Sequence, residues 1–226
     1  MIPLRDNVRP KKFPFINIFL IIVNVLIFFY QTTLTREELL QLFVHYGVIP
    51  QQFFELSGSG ALLPAAWFPF ISATFLHGSW FHLLGNMLYL WVFGDNVEDR
   101  LGHGGYLLFY LAAGAAANLA HILTNPASPV PVIGASGAIA GVLGIYFIFF
   151  PRARVLALIP IGFLLTTASI SAKFFLIFWF ILQLLNAFLM AGATAQAVAW
   201  WAHIGGFVFG AAIGVLGLFW KKTTAT

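Results

Sequence analysis

The sequence predicts an all-α membrane protein: a bundle of six membrane-crossing helices with a long, partly helical first external loop. Three observations lead there. Of 226 residues, 61% are hydrophobic and 8% charged, with a mean hydropathy of +0.93, far outside the range of a soluble globular domain. Six apolar stretches approach the roughly 20 residues needed to cross a bilayer. Lys and Arg cluster in alternate connections, as the positive-inside rule requires. The net charge of +4 and pI near 9.6 follow from that clustering, so membrane lipid is the expected surrounding and nucleic acid is not an expected partner. Cysteine is absent, which excludes disulfides, thiolate metal sites and cysteine nucleophiles and leaves the redox compartment unread.

Taken in order, residues 1–12 form a basic amino terminus carrying Arg5, Arg9, Lys11 and Lys12. No convincing small-residue cleavage site follows, so Phe15 to Tyr30 reads as a retained first span. The region from Thr32 to Ser79 is too long for a bare connection. Within it, Leu39, Leu40, Phe43 and Val44 recur at helical spacing beside Arg36, Glu37 and Glu38, predicting a short interfacial helix. Gly58-Ser59-Gly60 marks a turn. Leu62 to Leu76 is interrupted by Pro64 and Pro69, and reads as interfacial or re-entrant. Further spans are expected near Trp80 to Phe93, Tyr106 to Ile122, Ser136 to Phe150, Phe174 to Met190 and Ala202 to Trp220. Val155 to Ile170, broken by Pro160 and Gly162, is again read as interfacial or re-entrant. Residues 13–220 thus form one six-helix domain, and 221–226 a cytoplasmic tail.

Charge orients the bundle. With the amino terminus inside and six spans, Arg5, Arg9, Lys11, Lys12, Arg100, Arg152, Arg154, Lys173, Lys221 and Lys222 lie inside and only Arg36 outside, ten of the 11 cations. A seventh span over Val155 to Ile170 would move Lys173, Lys221 and Lys222 outside and put His203 at the face opposite Ser136. Six spans fit better, with both termini cytoplasmic. The second, fourth and sixth helices then run from outside to inside, and His82, Ser136 and His203 share one depth near their outer starts.

Polar groups are expensive in such segments and need partners. Ser136 sits in Gly134-Ala135-Ser136-Gly137-Ala138, with Gly137 and Gly141 forming a small-xxx-small pair. On the sixth span His203, Gly206, Gly210 and Gly214 present a glycine seam on the histidine face. Two such seams can pack closely enough to join imidazole and hydroxyl as a general base and its nucleophile. Each residue alone reads as ordinary packing or a satisfied bundle histidine; their common depth and complementary faces favour the pair. His82 and Asn86, four apart, share a helical face and can stabilise an oxyanion together with the backbone N–H of Ser136. His77 and His82 are five apart, and neither HExxH nor cysteine is present, so no metal site is expected. His77 reads as structural, bonding loop backbone above the site. The acids are Asp6, Glu37, Glu38, Glu55, Asp95, Glu98 and Asp99, none in an outer helical half beside Ser136. A Ser-His-Asp triad is therefore not expected, and the orientation of His203 must come from packing or a backbone carbonyl.

HGSWFHLLGNMLYLWVFGDNVEDRLG, GASGAIAG and AHIGGFVFG, in that order on these spans, resemble the rhomboid intramembrane serine proteases of the basic six-helix prokaryotic type. The resemblance covers nearly the whole chain from the first span to Trp220. It implies that 13–220 is the catalytic domain, with Ser136 as nucleophile, His203 as general base, and His82, Asn86 and the Ser136 amide as the oxyanion-stabilising groups. Gly134, Gly137, Gly206, Gly210 and His77 are expected to be structural near the site. The implied activity is endopeptidase cleavage of transmembrane or membrane-proximal segments of other proteins, without a cofactor, in a prokaryotic plasma membrane. Glu98 and Arg100 match a structural motif in which carboxylate and guanidinium tie down a loop. Two positions depart from the pattern: Ala140 stands where many members have a tyrosine stacked on the catalytic histidine, and Trp67-Phe68 lies near where a Trp-Arg pair is common. A silent, client-binding relative and a small transporter are the rival readings. The retained serine and histidines disfavour the first, and the lack of intramembrane carboxylates and inverted repeat disfavours the second. The sequence carries no indication of oligomeric state.

Overall fold

The computed structural model describes residues 1–58, 67–162, 164–190 and 198–223. In chain order these form β1 (Ile2–Asp6), α1 (Phe15–Thr32), α2 (Arg36–Tyr46), α3 (Pro50–Gly58), α4 (Pro69–Ser72) continuing into a 3₁₀ turn (Ala73–Phe75), α5 (Trp80–Leu101), α6 (His103–Thr124), α7 (Ser136–Phe149), β2 (Arg154–Ile161), β3 (Leu164–Ser171), α8 (Ala172–Leu189) and α9 (Trp200–Thr223). Among the described residues, four helices are long and apolar enough to cross a membrane: α1, α6, α8 and the Trp200–Leu218 part of α9. They make this a multi-pass membrane protein. Helix α5 carries Asp95, Glu98, Asp99 and Arg100 in its last turns, and α7 has 14 residues, so those two do not qualify on length and composition alone.

The chain is mostly helical but not all-α. Val155 to Ile170 is a β-hairpin, paired from Arg154↔Ser171 to Ile161↔Leu164, and β1 adds to β2 antiparallel from Ile2↔Leu158 to Asp6↔Val155. Pro160 and Gly162 interrupt the apolar run because they flank the hairpin turn, where Gly162 takes a φ of +59° that other residues rarely adopt. Val155 and Ala157 alternate into the core, the period-2 signature of a half-buried strand. In the long first connection, α2 begins with a capping box between Thr35 and Glu38, and Pro69 occupies the first position of α4, where its missing N–H is no loss. Ser59, Gly60 and Pro64 lie outside the described residues, as do 224–226 of the tail.

Helix α7 is the centre of the bundle, buried from Gly137 to Tyr146. Its contact with α9 is backbone against backbone. A Cβ on Gly206 would lie 2.1 Å from the Gly137 carbonyl oxygen, one on Gly210 1.9 Å from that of Gly141, and one on Gly144 2.1 Å from that of Phe207. Small residues on both seams therefore set the helix separation, by packing that the sequence spacing anticipates.

Polar contacts pin the amino-terminal segment to the bundle. The Glu98 carboxylate accepts the Ile16 and Asn17 backbone N–H groups at 3.0 and 2.7 Å, capping the start of α1 from α5, and also meets His103. Arg100 does not pair with it, since its guanidinium lies 5.1 Å from the centroid of the Phe149 ring. The two members of the expected structural motif thus act separately, the carboxylate as a cap and the guanidinium in a cation-π contact. Asp6 accepts from Tyr146 and, at 2.9 Å, from Asn96, fastening β1 to α5 and α7.

Candidate active site

Ser136 is the first residue of α7, so its backbone N–H has no intrahelical acceptor and remains available. The preceding turn is set by Gly134, whose φ of +124° excludes most side chains and whose absent Cβ would stand 2.6 Å from His82 Nε2. The Gly134 N–H donates to the Ala73 carbonyl at 2.8 Å, attaching this turn to the segment after α4.

His203 lies in the first turn of α9, and the Gly137–Gly206 approach carries it to Ser136. Its Nε2 is 2.8 Å from Ser136 Oγ. Its Nδ1 is 2.8 Å from Gln183 Oε1 on α8, so a side-chain amide, rather than a backbone carbonyl, joins the packing expected to orient the ring. The ring is 9% exposed and is flanked by Trp179 and Trp200, each with its centroid 6.0 Å away, tilted 35° and edge-on at 88°. Ala140 faces the opposite seam, 3.2 Å from where a Gly206 Cβ would be. Restraint of the imidazole thus comes from α8 and the start of α9.

On α5, Ser79 caps the helix by accepting the His82 N–H at 3.2 Å. The His82 ring lies 5.0 Å from that of His77. Asn86 Nδ2 is 3.0 Å from His77 Nε2, so the His77 side chain also steadies Asn86. Burial, reinforced by neighbouring His82, pushes the His77 imidazole down to about 3, so the ring is neutral, and the Asn86 N–H facing Nε2 makes that nitrogen the acceptor. The second Asn86 N–H stays available. Gln31 of α1 clamps the same loop, accepting the His77 N–H at 3.1 Å and donating to its carbonyl at 2.8 Å.

These elements enclose a cavity of about 680 Å³ lined by Ser136, His203, His82, Asn86, Trp179 and Phe81, the last 91% exposed at its mouth. A hydroxyl hydrogen-bonded to an imidazole, with N–H donors on a neighbouring wall, is an arrangement that can carry out acyl transfer. Among the described residues no group of three or more His, Cys, Asp or Glu is placed to hold a metal ion. Gln183, Trp179 and Gln31 are absent from the sequence-based site. Gln183 carries the signal that exposed Ser136 and His203, a polar side chain in an apolar span, and stands one turn from Trp179.

The family described as Rhomboid domain matches residues 64–219. The presenilin-associated rhomboid-like protein, mitochondrial, of Homo sapiens is 31% identical over 164 residues, covering 68% of this chain and 39% of that protein. Rhomboid-like protein 11, chloroplastic, of Arabidopsis thaliana is 45% identical over 80 residues, 35% of this chain and 28% of that protein. Rhomboid protease GluP of Bacillus subtilis (strain 168) is 44% identical over 78 residues, 34% of this chain and 15% of that protein. The matches therefore span well under half the length of each relative.

Proposed function

The chain belongs to the rhomboid family, and from that premise we propose that it is an intramembrane serine endopeptidase acting through a Ser136–His203 dyad on transmembrane or membrane-proximal segments of other membrane proteins. The observation that carries this reading is the 2.8 Å contact between His203 Nε2 and Ser136 Oγ inside a cavity. A relative named as a protease, GluP, supports it.

In the proposed reaction His203 Nε2 takes the hydroxyl proton as Ser136 Oγ bonds to the scissile carbonyl carbon. The Ser136 N–H, His82 and Asn86 donate to the oxyanion. Collapse breaks the C–N bond, and the proton on Nε2 passes to the leaving amine. Water entering the cavity then attacks the acyl-serine, with His203 as base, releasing the acid and restoring the hydroxyl. A helical substrate protects its peptide bonds, so segments with Gly or Pro, which unwind more readily, are favoured.

All six of the helices α1, α5, α6, α7, α8 and α9 cross the membrane in this account, residues 13–220 form the catalytic domain, and both termini lie on the inner face that holds ten of the 11 cations. The setting is a prokaryotic plasma membrane, with cleavage near the external face. The test is incubation of purified protein with a transmembrane reporter, beside Ser136→Ala and His203→Ala. Cleavage by the parent alone supports the reading. Equal cleavage by Ser136→Ala refutes it, and reporter binding without cleavage by the parent favours a client-binding protein.

A further inference from the structure

We infer that Gln183 is a positioning residue of this site, fixing the tautomer and orientation of His203 through its side-chain amide; the inference rests on the dyad proposed above. Gln183 is on α8, whereas Ser136 and His203 are on α7 and α9, so a third helix reaches the pair. It is 6% exposed.

The direction of each hydrogen bond follows from the next. Gln183 Nε2 donates to the Trp179 carbonyl at 3.1 Å, one turn back along α8. That leaves Oε1 as the end facing His203, 2.8 Å from Nδ1. An amide oxygen only accepts, so Nδ1 must carry the imidazole proton. In the neutral ring Nε2 is then the unprotonated nitrogen, and at 2.8 Å from Ser136 Oγ it accepts the hydroxyl proton. The chain of donors runs one way, from Ser136 through His203 and Gln183 to the Trp179 carbonyl. Reversing the tautomer would set Nδ1 and Oε1 acceptor against acceptor and deprive Ser136 of its base.

The same turn of α8 supplies the ring contact of Trp179. A single i, i+4 pair thus fixes both the plane of the imidazole and the identity of its bare nitrogen. A neutral amide suits this place better than a carboxylate, because the resting histidine is neutral and a buried carboxylate beside it would be an uncompensated charge.

The test uses the full chain in proteoliposomes, cleaving a transmembrane reporter, with Gln183→Met as an isosteric variant lacking the acceptor and Gln183→Glu as one retaining it. Losing the bond that selects the tautomer should lower kcat about 10- to 100-fold with KM within twofold of the parent. Gln183→Glu, which keeps an acceptor for Nδ1 but loses the donor to the Trp179 carbonyl, should recover only part of that loss. The ¹⁵N spectrum of histidine-labelled protein should show His203 protonated at Nδ1 in the parent and a mixture of tautomers in Gln183→Met. Unchanged kcat in Gln183→Met, or a parent His203 protonated at Nε2, overturns the inference, as does a fall in kcat with the tautomer unchanged. A parent that neither cleaves nor reacts refutes the protease reading instead, and its ¹⁵N spectrum still decides the tautomer without any variant.

Discussion

Substituting Gly206 by alanine should disable the proposed proteolysis without touching any group of the proposed dyad. The added Cβ would sit 2.1 Å from the Gly137 carbonyl oxygen, whereas a carbon meets a carbonyl oxygen comfortably at about 3.3 Å. Neither partner is a flexible side chain, so α7 and α9 must part by about 1 Å to restore that contact. Ser136 adjoins Gly137, and His203 lies one turn before Gly206, so the separation falls directly on the 2.8 Å Oγ–Nε2 contact. Stretching it by that amount takes it beyond hydrogen-bond range, and a displacement of about 1 Å in a catalytic constellation costs on the order of 100-fold in rate. The assay is kcat/KM for reporter cleavage in proteoliposomes, with Gly104→Ala as the control because a Cβ there meets nothing within 4 Å. The control should keep parental activity. Cleavage by Gly206→Ala within threefold of the parent would refute the reasoning that the glycine seam sets the dyad distance.

Other consequences follow from the polar anchors and the hairpin. Glu98→Ala strips the cap from the Ile16 and Asn17 N–H groups and should lower unfolding stability by about 2 kcal/mol, read as a reduced thermal midpoint in detergent. Glu98→Gln should recover part of the loss through its remaining acceptor. His77 binds its proton at about 3 when folded, against 6.5 for an unperturbed imidazole, so the unfolded chain takes up the proton first as pH falls. The contribution of His77 is therefore complete above pH 6.5 and declines towards pH 3, by at most about 1.4 kcal/mol per pH unit. Between pH 6.5 and 4 the midpoint of the parent should fall more steeply than that of His77→Gln, and parallel curves would contradict this sign. Gly162→Ala forces a side chain to φ of +59° and should destabilise the hairpin by about 1 kcal/mol, with reporter cleavage unchanged.

The helices and the core of the site are written in local patterns, and those were readable. Hydropathy and breakers mark α1, α6, α8 and α9, and small residues at helical spacing mark the seam that joins Ser136 to His203. What depends on distant partners was not readable. The strand character of Val155 to Ile170 is masked by its overall apolarity, and β1 finds its partner about 150 residues away, at Val155 to Leu158. The link between His77 and Asn86 spans nine residues across a turn and the start of α5, a spacing that no helical pattern reveals. Gln183 does not stand out in the sequence because a single amide in a long apolar helix can satisfy itself on the backbone of its own preceding turn. Its Nε2 does so, which is what leaves its oxygen for His203. The structural place of Glu98 is legible in the sequence, but the partners of its carboxylate, the Ile16 and Asn17 N–H groups, are not, because backbone N–H groups leave no trace in residue identity.

The central claim is that Ser136 is a nucleophile activated by His203. Its most direct test is mass-spectrometric mapping of a fluorophosphonate adduct on the purified chain. The adduct should fall on Ser136 in the parent and be lost in His203→Ala; an adduct elsewhere, or equally fast labelling of Ser136 without His203, would contradict the account.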